Sequence, residues 1–185
     1  LVVQETTNAV FNHDLFRGNT VPQTFSEFIR AMVANYAAPN GESWISYFLT
    51  ENSGTYNNQY MIVDMKLVTK APSGQQGMTL GNGTLFIVEQ LPGANSAFGE
   101  FTAVLRAATQ WGSYNRPFFP SVYNLSGTQA LFDTYGSFYS YSAYARAAMF
   151  RDFNASIATL ADLKRVMRYL NYTVDPHSRI PNCTG

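Results

Sequence analysis

The sequence has few of the residues that enzymes most often use for nucleophilic or metal-assisted chemistry. It contains one cysteine, Cys183, and two histidines, His13 and His177, which lie in polar, turn-like segments. A Ser-His-Asp or Cys-His arrangement needs a histidine beside its nucleophile, and these surroundings favour surface roles for both histidines. Two histidines and one thiol far apart in the chain do not predict a metal site. No glycine-containing segment has the context of a phosphate-binding loop, so we predict no cofactor.

Charge is equally scarce, since 13% of the residues are charged and the 12 basic side chains balance the 12 acidic ones. Without a basic surface there is no electrostatic basis for binding nucleic acid, and we predict no such partner. The sequence also lacks an uninterrupted run of about 18 apolar residues, so we predict no transmembrane segment. It does have 46% hydrophobic residues, enough to bury a sizeable core. We predict that residues 1–185 form part of a single domain.

Hydrophobic periodicity and turn residues predict a mixture of strands and helices. Strands are expected at 1–7, 58–68 and 84–91, the last two as an antiparallel hairpin. Helices are expected from Thr24 or Ser26 to 36, at 42–49, 98–110, 126–136 and 144–150, and from Ser156 or Thr159 to 170. The first helix carries an apolar stripe at helical spacing, which we predict to face the core: Phe25, Phe28, Ile29, Met32, Val33 and Tyr36.

The densest polar stretch, Asn52-Ser53-Gly54-Thr55-Tyr56-Asn57-Asn58, leads directly into the second predicted strand. Glycine and asparagine adopt turn conformations at low cost, and their neighbours' amides and hydroxyls bond to nearby backbone. Two interpretations are open. The stretch is a turn that satisfies its own polar groups, or it is a polar wall of an active site whose donors face a developing oxyanion.

Three carboxylates, Glu5, Asp64 and Glu89, lie on or at the ends of predicted strands. The sequence does not place any two of them as the paired carboxylates of a glycosidase. We therefore expect them to make strand-end hydrogen bonds and ion pairs.

The acceptor pattern for N-linked glycosylation occurs at five positions: Asn82, Asn124, Asn154, Asn171 and Asn182. This frequency indicates a protein of the secretory route, and the alternative is coincidence in an asparagine-rich chain. In an oxidising compartment an odd thiol is expected to form a disulfide, so we predict that Cys183 pairs with a cysteine outside this sequence.

Six segments in the same order resemble the phospholipase B-like family, lysosomal and secreted relatives of the N-terminal-nucleophile hydrolases. The segments are VQETTN at 3–8, NSGTYNNQYMIVDMK at 52–66, IVEQLPG at 87–93, SYN at 113–115, ARAAMFR at 145–151 and VMRYLN at 166–171. The resemblance implies an α+β fold, the αββα sandwich of these hydrolases, of which this chain provides several strands and flanking helices. It also implies an internal or processed piece of a longer precursor, and a lysosomal or secreted location.

The resemblance further implies an acyl hydrolase acting on phospholipids or lysophospholipids. Its nucleophile would be an N-terminal cysteine on a companion chain of the same precursor, produced by autoproteolysis. Thr7 matches a hydrogen-bonding residue beside that nucleophile, Asn115 matches the donor to the oxyanion, and Arg146 matches the charge that favours the thiolate. Without the resemblance, the residues themselves favour structural roles: a strand-end cap for Thr7, a turn residue for Asn115 and a partly buried helix arginine for Arg146. The alternative functions are an amidase on acyl amides and a non-catalytic, lipid-binding glycoprotein.

Overall fold

A computed structural model describes residues 1–73 and 77–179. In chain order the strands are β1 (Val2–Thr7), β2 (Asn58–Val63), β3 (Val68–Lys70), β4 (Met78–Leu80), β5 (Leu85–Gln90) and β6 (Ser96–Glu100). The α-helices are α1 (Glu27–Ala37), α2 (Gly41–Leu49), α3 (Thr102–Ala108), α4 (Pro120–Leu125), α5 (Thr128–Tyr135), α6 (Ala145–Asn154) and α7 (Leu160–Met167). Short 3-10 turns cover His13–Phe16, Met65–Leu67 and Gly136–Tyr139. None of the helices in these two ranges is long and apolar enough to cross a bilayer.

The main sheet has four antiparallel strands in the order β1-β2-β5-β6. The predicted hairpin is confirmed, because β2 pairs with β5 with Gln59 opposite Glu89. The second predicted strand is shorter than expected and ends at Val63. Asp64 then accepts a hydrogen bond from the Lys66 backbone amide and starts a 3-10 turn, and β3 and β4 form a separate two-stranded ribbon. Asp64 also pairs with the Lys66 ammonium at 2.7 Å, as expected.

One face of the sheet packs against α1 and α2. Asn40 caps α2 by accepting a hydrogen bond from the Ser43 amide at 2.9 Å, and the helix buries one apolar side. The core here consists of side chains from α1, α2, β2 and β5: Ala34, Trp44, Ile45, Phe48, Tyr60, Ile62 and Val88. Trp44 and Phe48 stack with ring centroids 4.7 Å apart, so the aromatic content of α2 is used for packing.

The prediction that the apolar stripe of α1 faces the core is wrong. The large side chains of that stripe are all exposed by 40% or more: Phe25, Phe28, Ile29, Met32, Val33 and Tyr36. The buried side of α1 carries Arg30 and Ala34 instead. Small Ala34 lets the helix approach the sheet closely, and Arg30 is buried because it makes polar contacts with the neighbouring turn.

Arg30 anchors the beginning of the polar stretch at 52–58. Its guanidinium donates to Asn52 Oδ1 at 2.8 Å and to Gln90 Oε1 at 2.9 Å, and burial lowers its pKa to about 10. The Asn52 amide donates to the carbonyls of Leu91 and Gly93 at 2.7 and 2.9 Å. The Asn52 side chain is therefore satisfied within the fold, which favours the interpretation of a self-satisfied turn at this end of the stretch.

Gly54 shows why this turn needs glycine. Its φ is +65°, in the left-handed region, and a Cβ on this residue would lie 2.4 Å from the Cα of Pro92. Any side chain here would push the turn away from the end of β5.

The opposite face of the sheet carries the polar pair Gln59 and Glu89, covered by an aromatic cluster. The cluster comprises Phe101, Trp111, Phe118, Phe119 and Tyr141, with neighbouring ring centroids 4.9 to 5.9 Å apart. Most of these rings lie on or beside the predicted loop at 111–120, which we call the aromatic loop. This loop has no helix or strand before Pro120.

The prediction of a helix over 98–110 is partly wrong. The first part is strand β6, and helix α3 begins only at Thr102. Pairing with β5 supplies the backbone of β6 with hydrogen-bond partners, and this tertiary contact overrides the local helical spacing. Helix α4 was not predicted, and α5 begins at Thr128, after Gly127.

The last predicted helix is α7, which begins at the Thr159 alternative. Thr159 and Asp162 form a reciprocal capping box there. Helices and sheet together confirm the α+β class. The described residues show one four-stranded sheet, and the complete αββα sandwich stays a prediction.

Candidate active site

The structure brings the three predicted site residues into one hydrogen-bonded row. The Asn115 amide nitrogen donates to the Thr7 carbonyl oxygen at 2.8 Å. The Arg146 guanidinium donates through Nη1 to Asn115 Oδ1, also at 2.8 Å. These residues are 108 and 31 positions apart in the chain, so only the tertiary fold joins them.

Each member of the row is held by its own element. Thr7 ends β1, and its hydroxyl hydrogen-bonds the hydroxyl of Tyr56, which links the site to the 52–58 turn. Asn115 lies in the aromatic loop with φ at +59°, a left-handed conformation that asparagine tolerates better than most residues. Arg146 lies in the first turn of α6, where its guanidinium contacts the ring and hydroxyl of Tyr144.

Glu89 anchors the loop that carries Asn115. Its side chain is fully buried and accepts four hydrogen bonds. Two come from the backbone amides of Phe118 and Phe119 at 2.8 and 3.0 Å, and two from the side-chain amides of Asn8 and Gln59 at 3.1 and 2.7 Å. Burial raises the pKa of Glu89 above its ordinary value, against the effect of these donors. The expected strand-end hydrogen bonding is found, and no ion pair involves Glu89 in the described parts of the chain.

Arg116 supports the same loop from the other side. It is 8% exposed, donates to the Asn115 carbonyl at 3.0 Å and to the Phe138 carbonyl at 3.1 Å, and lies over the rings of Tyr139 and Tyr144. The Asn115 backbone is thus fixed at its carbonyl by Arg116, while its side chain is fixed by Arg146.

A cavity of about 240 Å³ opens beside Asn115 and Arg146. Its polar side is formed by Thr6, Ser113, Asn115 and Arg146, and its other walls by Met149, Phe150, Phe153, Val166, Met167 and Tyr169. A second groove of about 530 Å³ adjoins it and shares Thr6, Ser113, Phe150 and Met167. Asn115 and Arg146 therefore border a space that a small ligand can enter, whereas Thr7 reaches it only through its hydrogen bond with Asn115.

The sequence assigned no individual supporting role to Arg116, Tyr56 or Ser113, although the last two lie in segments that resemble the family, and it gave Glu89 only a strand-end role. One available signal was Glu89 itself, an ionisable residue inside the apolar run Leu85-Phe86-Ile87-Val88-Glu89-Gln90-Leu91. A charge in such a buried run needs several hydrogen-bond partners. The roles of Arg116, Tyr56 and Ser113 depend on contacts that no local pattern specifies.

The predicted glycosylation sites lie in different environments. Asn82, Asn124 and Asn171 are exposed, and Asn82 Oδ1 accepts a hydrogen bond from the Arg106 guanidinium. The Asn154 amide, at the end of α6, donates to the Ala108 carbonyl. Asn182 and the predicted disulfide residue Cys183 lie outside the described residues.

Comparison with known proteins finds relatives that are named phospholipase B or phospholipase B-like. Phospholipase B-like 1 of Bos taurus is 43% identical over 183 residues, which is 99% of this chain and 32% of that protein. Phospholipase B-like 1 of Homo sapiens is 42% identical with the same coverage, and Phospholipase B of Crotalus adamanteus is 38% identical. The chain spans about a third of the length of these relatives. The family model described as Phospholipase B matches residues 1–185. With its full length matched by that model and by relatives of this identity, the chain belongs to the Phospholipase B family.

Proposed function

We propose that this chain forms the oxyanion-binding side of an acyl hydrolase that cleaves ester bonds of phospholipids or lysophospholipids. The observation that carries the proposal is the row from Thr7 through Asn115 to Arg146 at the edge of a cavity. Family membership supports a hydrolase of lipids, because the relatives are named phospholipase B or phospholipase B-like. The nucleophile is an N-terminal cysteine on a companion chain of the same precursor.

In the proposed reaction the cysteine thiol attacks the acyl carbon of the ester, and its proton passes to the cysteine's own α-amino group. A carbon–sulfur bond forms and the carbonyl oxygen becomes an oxyanion. On collapse the bond to the alcohol breaks, and the alcohol oxygen takes the proton from the ammonium group. Water then hydrolyses the thioester, which releases the fatty acid and restores the thiol.

Asn115 is suited to stabilise the oxyanion. An asparagine amide nitrogen carries two hydrogens, and one of them is donated to the Thr7 carbonyl. The second is available for a substrate oxygen. Arg146 bonds Asn115 Oδ1, so it holds the amide with its nitrogen turned toward Thr7, and its positive charge also favours a thiolate nearby. Preorganised donors of this kind need no rearrangement during the reaction.

The test is Asn115→Asp in the full-length protein. Aspartate keeps the size of the side chain and an oxygen for Arg146, but it cannot donate to the oxyanion. We expect kcat for a phospholipid ester to fall by about 10²–10³-fold. The matched control is Asn95→Asp, since Asn95 is also half-buried and donates to a backbone carbonyl, that of Pro92, at 2.8 Å. Equal activity of Asn115→Asp and Asn95→Asp would refute the proposed role.

The same arrangement also attacks amides, so an amidase acting on acyl amides is the second candidate. Matched lipid ester and N-acyl amide substrates, assayed with wild type and Asn115→Ala, separate the two. A non-catalytic, lipid-binding glycoprotein is the third candidate. It is favoured if a thiol-directed acyl probe labels no companion chain beginning with cysteine, or if the wild type hydrolyses neither substrate.

We also propose a lysosomal or secreted location, based on the glycosylation patterns. The exposed side chains of Asn82, Asn124 and Asn171 are reachable by a glycosyl group. Treatment of the native protein with an N-glycanase should therefore lower its mass, and no change in mass would remove this support.

A further inference from the structure

The cavity beside Asn115 has a polar side and an apolar body. Met149, Phe150 and Phe153 project from α6, and Val166 and Met167 project from α7. The spacing of 149, 150 and 153 places these three side chains on one face of the helix, toward α7. The Phe153 and Tyr169 rings meet edge to face with centroids 4.8 Å apart, and Val166 is 9% exposed. The body of the cavity therefore has walls built mainly from hydrocarbon.

Several of the polar groups around this cavity are already paired with one another. The hydroxyls of Thr6 and Ser113 share a hydrogen bond. The Tyr169 hydroxyl donates to Asp175 Oδ2 at 3.0 Å, so Tyr169 presents its ring to the cavity and its polar end elsewhere. The buried side-chain polar atoms left without a partner in the described residues belong to Asn8, Asn57 and Arg116, none of which lines the cavity. A sugar or a charged headgroup would find few partners in the cavity body.

We infer that this cavity holds a single acyl chain of the substrate, and we call it the chain site. This inference rests on the proposed function. The ester carbonyl lies at the polar side near Asn115, and the hydrocarbon extends between α6 and α7. The volume of about 240 Å³ is below the roughly 300–1,000 Å³ of sites for whole drug-sized ligands. This volume suits one acyl chain and excludes a second acyl chain. The adjoining groove, which includes Gln4 and Glu5, takes the polar remainder of the substrate.

Two methionines make the chain site adaptable. Met149 from α6 and Met167 from α7 both line the cavity, and an unbranched thioether changes rotamer at low cost. Met167 also borders the adjoining groove, and its side chain is 62% exposed. Movement of this residue lengthens the cavity toward the groove, so the site accepts a range of chain lengths with a preference set by the buried end.

Substitution of Val166 tests the inference in the full-length protein. Val166→Phe adds volume at the most buried residue of the cavity lining. Leu160→Phe is the matched control, since Leu160 lies on the same helix, is 66% exposed and does not line the cavity. The substrates are p-nitrophenyl butyrate and p-nitrophenyl palmitate. We expect Val166→Phe to lower the palmitate-to-butyrate ratio of kcat/KM by about tenfold or more, as pocket-filling changes do. Leu160→Phe should leave the ratio unchanged, and an unchanged ratio in both variants would overturn the inference.

A second variant, which enlarges the cavity, keeps the test decisive if Val166→Phe does not fold. Phe153→Leu should shift the same ratio in the opposite direction, toward palmitate. The inference is rejected if the two variants shift the ratio in the same direction, or if Phe153→Leu does not change it.

A direct binding measurement separates failure of the inference from failure of the proposed function. The probe is an alkyl-ether lysophosphatidylcholine, which has no ester to hydrolyse, and its affinity is measured by titration calorimetry. If the wild type hydrolyses no ester but binds this probe, and Val166→Phe weakens binding about tenfold while Leu160→Phe does not, the chain site stands and the hydrolase proposal fails. If the wild type does not bind the probe, or both variants bind it equally, the chain site is rejected.

Discussion

At the scale of single residues, Glu89 shows how one buried side chain organises a loop. Its two oxygens receive four donors that come from β1's end, β2 and the aromatic loop. The loop between Trp111 and Pro120 has no regular backbone pairing of its own, so the bonds from Phe118 and Phe119 replace it. Asn115 lies three residues before Phe118 in the chain, so its position depends on this anchor.

Glu89→Gln tests the anchor. Glutamine has nearly the same volume, but its amide nitrogen cannot accept a hydrogen bond, so one buried donor loses its partner. We expect the free energy of unfolding to fall by about 1–3 kcal/mol. Urea denaturation of the variant measures this. Glu42→Gln, on the exposed first turn of α2, controls for the loss of a charge. A stability equal to that of the control would show that Glu89 does not hold the loop.

At the scale of elements, α1 and α7 both expose most of their large apolar side chains, which their sequences do not predict. Both have the spacing of amphipathic helices, yet the apolar side chains of α7 are mostly exposed, as those of α1 are: Leu160, Leu163 and Met167, followed by Leu170. Val166 alone is buried in α7. Periodicity reports that a helix has an apolar side, and it does not report what covers that side.

The two apolar sides of the α1–α2 pair should respond differently to substitution. Phe28 is 62% exposed and Phe48 is fully buried against Trp44 and Tyr60. In this chain we expect Phe28→Ala to change the free energy of unfolding by less than about 0.5 kcal/mol and Phe48→Ala to lower it by about 3–5 kcal/mol. Chemical denaturation of both variants makes the comparison. A large loss with Phe28→Ala would mean that the α1 stripe is packed after all.

At the scale of the whole molecule, the fold shifts the pKa values of several carboxyls from their ordinary values. Burial raises the pKa of Glu5 above the ordinary value of 4.5. Burial also raises the pKa of Glu27, with a further increase from the charge of Glu5 and an opposing effect of Arg30. Burial raises the pKa of Glu89 as well. Hydrogen bonds from Thr159 lower the pKa of Asp162, so its contribution is lost only in more acidic solution.

These shifts predict greatest stability in mildly acidic solution. Above pH 4.5 the unfolded chain has released the glutamate protons that the folded chain still holds, so the free energy of unfolding falls as pH rises through the raised pKa values. Urea denaturation at about pH 4.5 and about pH 7 should show lower stability at the higher pH. Glu27→Gln should reduce the difference, whereas Glu42→Gln should keep it. A wild type that is more stable at about pH 7 would contradict the prediction.

Much of the fold could be predicted from local pattern. The hairpin of β2 and β5, helix α2 and the Thr159 cap of α7 follow from alternation, helical spacing and capping residues, which act over a few positions. The start of β6 and the orientation of α1 could not be predicted in this way. Strand pairing and the burial of Arg30 depend on residues far away in the chain.

The sequence by itself determined the α+β class and the family, because these rest on residue types in a fixed order, and the same order led to the prediction of Thr7, Asn115 and Arg146 as site residues. Only the tertiary structure decided that Asn115 lies between Thr7 and Arg146, that Glu89 and Arg116 hold its loop, and that an apolar cavity opens beside it. The physical reason is distance along the chain. Contacts over 31 to 108 positions form only when the sheet and helices pack, and no local pattern encodes them.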